Sequence, residues 1–463
     1  RGKNDFLIFK IKLMKYLILI LSTLITFSCK KVDNWLDKKY DLNKLTPSTL
    51  EDYQKLLDRD DVLNSYYPVV GSISADNFFL VTTDYLTLSE IERNAYTWNT
   101  SIETGYEYSD WSSAYSIVGL SNIVLEGLDK IEVTADNSGL HKRVRGSALF
   151  YRSFAFFNLA QIFAKQYAPT TLNDLGIPIR TVSDPNVRSV RSSINETYNR
   201  ITTDLVDALD LLPEISTVAT RPSKRSATAL LAKVFLQMGD YVNAERYSSQ
   251  SLSLYNTVLD YNTINSANAL PFPNIQSSTG LNSEVLFYAF GATYTSLRAY
   301  ASTSYIDTTL YDSYSDDDLR KAIFFRTISI PLKQYVFRGS YLGNVFVFSG
   351  LAVNEVYLIR AEALARLGRT SEALADLNTL MIKRSTSEQA LDIILAERRK
   401  ELIFTGLCRW SDLRRLNLES TRAVTLTRTI NNQTFTLPPN DLRYVYLIPE
   451  TEIRLSGIQQ NPR

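Results

Sequence analysis

The sequence predicts a mainly α protein, and three observations carry that reading. From about Leu45 onward apolar residues recur at steps of three and four, the spacing that lines one face of a helix. Two distant segments repeat one set of hairpin spacings. The stretches without helical periodicity gather into two long excursions, at residues 64–110 and 256–350. The expected architecture is therefore a helical body with tetratricopeptide-like helix pairs and long irregular, loop-rich insertions.

The elements follow in chain order. Met14-Lys15-Tyr16 opens a short basic stretch, and Leu17 to Phe27 is an apolar run that stops at Ser28-Cys29. It is too short for the roughly 20 apolar residues of a spanning helix and has the form of a signal peptide. Residues 1–28 are expected to be removed, with those before Met14 preceding the initiator. The small residue before Cys29 resembles a bacterial lipobox, which makes Cys29 the acylated first residue and 29–44 a lipid-anchored tether. Plain secretion with cleavage near Ser28 is the alternative. More than one acyl chain is needed for stable anchoring.

In the 45–255 region, Val144, Ala148, Tyr151, Ala155, Leu159 and Ile162 form one stripe on a helix expected over about 141–165. Gly176-Ile177-Pro178 follows its end, and a second helix is expected from about Ile194 to Leu212, stopped by Pro213. Ala232, Phe235, Gly239 and Ala244 have the same mutual spacings as Ala361, Leu364, Gly368 and Ala373. Small residues let two antiparallel helices approach closely and the glycine supplies the turn, the mechanics of a tetratricopeptide repeat. Two unrelated hairpins would share those spacings only because Ala and Gly are common in such places.

Composition narrows the function. The 463 residues are 45% hydrophobic and 21% charged, enough for a real core, and 50 basic against 49 acidic residues leave no basic footprint for nucleic acid. The single histidine, His141, excludes two-imidazole metal sites and sits beside Lys142 and Arg143 at a solvated helix start. Two cysteines give no disulfide framework, and Cys408 reads as a buried, inert thiol. Glu397 and Glu401 share a helix face but stand among Arg398, Arg399, Lys400 and Arg409, so a salt-bridge network is expected rather than an acid with a raised pKa. Asp316-Asp317-Asp318 offers oxygen ligands for a cation such as Ca²⁺, but a solvated or helix-starting run is the expectation. No cofactor is implied.

The excursions carry the functional expectation. Tyr66, Tyr67, Phe78, Phe79, Tyr85, Tyr96, Trp98, Tyr106 and Tyr108 crowd the first, and Tyr288, Tyr294, Tyr300, Tyr305, Tyr311, Tyr314 and Tyr335 populate the second. Sugar rings expose C–H faces that lie on flat aromatic side chains, while Asp, Asn and Arg take the hydroxyls. Trp98 with Tyr96, Asn99, Asp76 and Asn77 supplies that mixture in one loop. The competing reading is that such rings pin the loops to the body, as Trp111 and Tyr115 are expected to do.

Residues 394–415 resemble the signature of the SusD/RagB family of nutrient-binding outer-membrane lipoproteins of Bacteroidetes, through Glu397, Arg398, Glu401, Leu402, Phe404, Gly406, Arg409, Trp410, Asp412 and Leu413. Thr405 stands where that family usually has Glu. The chain end is similar too, in Tyr446-Leu447-Ile448-Pro449-Glu450, Glu452 and Asn461-Pro462, as are Arg145 through Pro178 and the Trp111, Tyr115, Asn122 spacing. The resemblance spans the chain beyond the leader in order, with 351–463 as the C-terminal SusD/RagB region. It implies a lipid anchor at Cys29 on the outer membrane facing the cell surface, and a SusC-like TonB-dependent barrel as partner. It also implies capture of an oligosaccharide or peptide without chemical conversion. Members of the family place the ligand on loops of the first half plus the irregular insert, which adds Tyr294 and Tyr305 to the expected contacts. Two other classes stay open: a tethered glycan hydrolase using two carboxylates such as Asp76 and Glu103, and a protein-binding scaffold.

Overall fold

The computed structural model describes residues 47–100, 109–274, 280–384 and 391–463. The expected leader and tether, with Cys29, lie outside them, as do Glu103, Tyr106 and Tyr108. Among the described residues the helices of eight or more residues are α1 (Leu50–Leu57), α2 (Ser109–Leu128), α3 (Ser138–Phe163), α4 (Ile194–Leu209) and α5 (Lys224–Met238). They continue with α6 (Tyr241–Leu254), α7 (Val353–Arg366), α8 (Thr370–Met381), α9 (Leu391–Glu401) and α10 (Cys408–Leu416).

The apolar stripe on α3 is buried along its whole length, from Val144 to Ile162. The helix is in fact covered on all sides from Gly146 to Phe163, because α1, α2 and α4 pack around it. Arg152 is the exception in kind: it lies inside α3, with Nε and Nη2 donating to the Asp204 carboxylate at 2.7 and 2.9 Å and Nη1 to Asn122 at 2.9 Å. A buried guanidinium is tolerated here because its charge is met bidentately. Asn122 also donates to the carbonyls of Arg180 and Val182, tying α2 to the loop after α3. α4 begins where Ser193 and Glu196 form a reciprocal capping box, and it ends three residues short of the expected Leu212.

The two hairpins are present, α5 with α6 and α7 with α8, and α6 packs on α7 so that they stack. Gly239 at φ +73° and Gly368 at φ +78° make the turns in the left-handed conformation that favours glycine. Ala232, Ala244, Ala361 and Ala373 are fully buried where the helices approach. The irregular excursions hold more regular structure than expected. Short helices Val70–Ser74, Thr82–Thr87 and Glu90–Tyr96 occupy the first, while Thr308–Asp312 and Leu319–Phe324 occupy the second. A single turn or two is too short to imprint a period on the sequence.

Among the described residues five two-stranded antiparallel ladders stitch these segments together. They pair β1 (Phe78–Phe79) with β5 (Tyr305–Ile306), β2 (Leu175–Pro178) with β3 (Arg191–Ser193) and β4 (Val285–Phe287) with β8 (Leu351–Ala352). β6 (Phe325–Ser329) and β7 (Gln334–Phe337) form a hairpin, as do β9 (Leu426–Ile430) and β10 (Gln433–Leu437). The β1–β5 ladder matters most for function, since it joins the two excursions. No described helix is long and apolar enough to cross a membrane.

Candidate functional site

The signature helices α9 and α10 build a charged knot inside the body. Glu401 has no exposed side-chain surface; it accepts from Arg384 Nε at 3.0 Å, Arg320 Nη1 at 3.3 Å, Tyr341 Oη at 2.9 Å and Asn354 Nδ2 at 3.1 Å. Arg320 also holds Asp318 and Glu397, each at 2.7 Å, and Arg384 holds Glu284 at 2.6 Å. Burial by itself would raise the Glu401 carboxyl, but Arg384 and Arg320 outweigh it and hold it below the usual range. The Asp316–Asp318 run thus starts a helix, with Asp318 accepting from Arg320 N at 3.0 Å and Asp316 on Lys321 Nζ at 2.7 Å. Trp410 is fully buried, stacked on Tyr444 at 4.9 Å, and a Cβ at Gly71 would lie 2.5 Å from its ring. Cys408 is buried beside Glu355, and desolvation pushes its thiol up to about 12, which removes it as a nucleophile at neutral pH.

The sequence-expected ligand residues gather largely in one neighbourhood, but they turn inward. Trp98 is 3% exposed and donates its Nε1–H to the Ser74 carbonyl at 3.0 Å. The Arg428 guanidinium lies 4.6 Å from the Trp98 ring and 3.8 Å from the Tyr96 ring, filling the face a sugar would need. That guanidinium donates in turn to the carbonyls of Ile73, Ala75 and Tyr96. Tyr96 accepts from Leu80 N at 2.9 Å. Asp76 takes Arg409 bidentately at 2.6 and 2.7 Å and Arg399 at 3.2 Å. Burial favours its neutral form, but the two arginines prevail and hold the carboxyl well below the usual carboxylate range. An Asp so held is no general acid at neutral pH, and Glu103, its suggested partner, lies outside the described residues.

Asn77 is buried, and its carbonyl accepts from Asp307 N at 2.9 Å. Tyr294 is buried with its hydroxyl donating to Asp110, which caps the Val70–Ser74 helix through the amides of Val69 and Val70. Tyr305 is buried in the ladder beside Phe79, their ring centroids 5.5 Å apart. Asn99 is exposed, with Nδ2 on Asn94 Oδ1 at 3.2 Å. The expectation that Trp98, Tyr96 and Tyr294 hold ring faces outward is thus corrected. Each has a main-chain or charged partner far along the chain that sequence spacing does not reveal.

The aromatic surface that does face outward lies elsewhere in the same two excursions. Tyr66 is 45% exposed, and its edge meets Phe290 at 5.3 Å and 69°. Phe290 stacks on Phe346 at 4.9 Å and 26°, and both are half-buried, so the three rings form a continuous ledge. Tyr66 has φ +60°, a left-handed conformation costly for a side chain of this size. It is imposed by its neighbour, because fully buried Tyr67 donates N–H to Phe290 O at 3.1 Å and accepts from Ala292 N at 2.8 Å. Beside the ledge Asn344 accepts from Phe346 N at 2.9 Å, placing a polar side chain next to the rings. In the sequence nothing separates Tyr66 from Tyr67, because the left-handed turn that sends their rings apart is set by the distant Phe290 and Ala292 backbone.

Comparison with known proteins returns one family. A model described as starch-binding, associating with outer membrane, matches residues 34–236, and a SusD family model matches 353–463. SusD-like protein P2 of Formosa agariphila is 25% identical over 379 residues, covering 68% of this chain and 73% of that protein. A SusD superfamily protein of Bacteroides thetaiotaomicron superposes with TM-score 0.74 at 22% identity, over 90% of this chain and 100% of the other. A laminarin binding SusD-like protein superposes with TM-score 0.61 at 18% identity, over 89% and 97%. At such identities the superpositions establish the fold.

Proposed function

The chain belongs to the SusD family, and from that premise we propose that it captures a glycan on the Tyr66–Phe290–Phe346 ledge and passes it, chemically unchanged, to a TonB-dependent β-barrel partner. It does so as a lipoprotein anchored through Cys29 in the outer membrane, facing the cell surface. The observation that carries the reading is the ledge itself. Tyr66, 45% exposed and set outward by a left-handed backbone, offers an apolar ring face of the kind a pyranose C–H face covers, with Phe290 and Phe346 in contact beside it. Asn344 adds a polar side chain next to Phe346. The ledge draws on both excursions, which the helical body holds in register through the β1–β5 ladder and the Tyr67–Gly291 bridge. A relative described as laminarin binding makes a β-glucan a reasonable first probe.

Trp98, Tyr96, Asp76, Asn77, Tyr294 and Tyr305 take part instead in buried contacts that hold the two excursions to the body. The test is an affinity gel cast with laminarin and other polysaccharides, run for the wild type and Tyr66→Ala. Each aromatic contact is worth about 1 kcal/mol beyond burial, so retention weakens by roughly fivefold where the ledge is the site. Equal retention of the variant on every gel that retards the wild type removes the ledge from the proposal. Release of new reducing ends by the purified protein would replace capture with hydrolysis.

A further inference from the structure

The β6–β7 hairpin carries a second feature that the ledge does not use. Arg326 pairs across the ladder with Val336, and Arg338 lies two residues further on, so strand alternation puts both arginines on one face of the hairpin. Both line an open cleft of about 450 Å³, together with Tyr311, Lys321, Asp316 and Asp318, the last two being paired with Lys321 and Arg320. Like charges placed this way repel; desolvation first, and then the neighbouring Arg326 against an opposing contribution from Tyr300, hold the Arg338 guanidinium below its ordinary range.

Among the described residues no carboxylate lies within 4.0 Å of either guanidinium, in a protein whose other buried arginines are mostly met by acids. Arg338 spends Nη1 and Nη2 on the carbonyls of Asn268, Ser266 and Ala322 at 2.6 to 2.9 Å, which fixes its plane without neutralising it. Arg326 lies 4.2 Å over the ring of Tyr300, itself 37% exposed and at φ +68°. The Nε atoms of both arginines are buried and have no hydrogen-bond partner. Lys321 adds a third cation, paired with the exposed Asp316.

Arg326, with no carboxylate on its guanidinium and the Arg338 cation on the same face, is a receptor for a small planar or tetrahedral anion. We propose that this cleft binds the anionic substituent of the captured glycan, a carboxylate or sulfate on a sugar ring, between Arg326 and Arg338. The backbone joins the cleft to the ledge: Ala299 N donates to Val345 O at 3.0 Å, so Tyr300 and Phe346 each lie one residue from that bond. This inference rests on the capture reading and narrows it to charged polysaccharides.

The test uses oligogalacturonate, carrageenan oligosaccharides and neutral laminarin oligosaccharides in titration calorimetry, with the wild type, Arg326→Gln and Arg326→Lys. Among the described residues the Arg326 guanidinium makes no hydrogen bond or ion pair, so its variants are expected to keep a melting temperature close to that of the wild type. Wild-type binding of an anionic oligosaccharide that weakens at least tenfold in Arg326→Gln, as expected for loss of a charge-assisted contact, and is partly restored in Arg326→Lys, bears the inference out. Response to galacturonate alone identifies a carboxylate site, and response to carrageenan alone a sulfate site. Binding of laminarin only, unchanged in Arg326→Gln, overturns the anion site and leaves capture standing. Binding of an anionic oligosaccharide that is unchanged in Arg326→Gln overturns it as well. Absence of binding to all three overturns both.

Discussion

Glu401→Gln is the sharpest probe of what the signature does. The substitution keeps shape and volume and removes one charge from a place with no solvent access. Glu401 Oε1 now accepts from Arg384, Tyr341 and Asn354 together, and Oε2 from Arg320. If the Gln carbonyl takes the first set, its amide points two hydrogens at the Arg320 guanidinium; if it is flipped, three donors lose their acceptor. Arg320 retains Asp318 and Glu397, and Arg384 retains Glu284, so neither cation is left bare. Breaking one arm of a buried ion-pair network costs about 3 to 5 kcal/mol, and the surviving partners place this case at about 3. Urea unfolding at pH 7, followed by tryptophan fluorescence, measures it. Asp61→Asn is the control, because the Arg59–Asp61 pair is more than half exposed on both sides and screened by solvent. A Glu401→Gln loss no larger than that of the control would refute the argument that these carboxylates are held for packing rather than chemistry.

Two further outcomes separate support from contact. Trp98→Ala removes a fully packed indole and the platform under Arg428, and is expected to cost about 3 kcal/mol or more in urea unfolding, while glycan retention per folded molecule stays at the wild-type level. Asp76 has a folded-state pKa depressed below its unfolded value, so its contribution is complete above the unfolded value near about 3.9 and is lost as pH falls below it. The stability gap between wild type and Asp76→Asn is therefore expected to shrink steadily in urea titrations from pH 5 to pH 3. A gap that widens on acidification would contradict the assignment. Asp110, whose carboxyl is raised by burial, works in the opposite sense, which is why the comparison is made against the Asp76 variant rather than by wild-type pH dependence alone.

How far the sequence reveals this protein depends on the range of the interactions involved. The α3 stripe and the Gly239 and Gly368 hairpins were readable because a helix encodes its own face within a dozen residues, and a left-handed turn needs its glycine locally. The ladders were not, since β1 and β5 pair two residues each and leave no period. The fate of the aromatic residues was harder still. Trp98 and Tyr66 stand in similar polar, turn-rich surroundings, yet one is 3% and the other 45% exposed. The difference lies in Arg428, more than three hundred residues away on β9, which covers Trp98 and anchors on three carbonyls around it. Nothing within the loop at Trp98 records that arginine. The expected clustering of Asp76, Asn77, Tyr96 and Trp98 was sound as a statement of proximity and mistaken in direction.

That division has a consequence for how the family signature should be read. Glu397, Arg398, Glu401, Arg409, Trp410 and Asp412 all act inward: they fasten α9 and α10 to Asp76 in the first excursion, to Arg320 in the second and to Glu355 on α7. A knot that joins three separate regions tolerates little change, because altering one member strands buried charges on the others. Tyr66, Phe290, Phe346 and Arg326 take no part in that ion-pair network. Among the described residues the Arg326 guanidinium meets no carboxylate and lies over the Tyr300 ring. A chain can therefore keep the signature and the fold while its outer rings and cations are rebuilt for a different glycan. Solved relatives near 22% identity share the body, and specificity is to be sought in residues that belong to no motif.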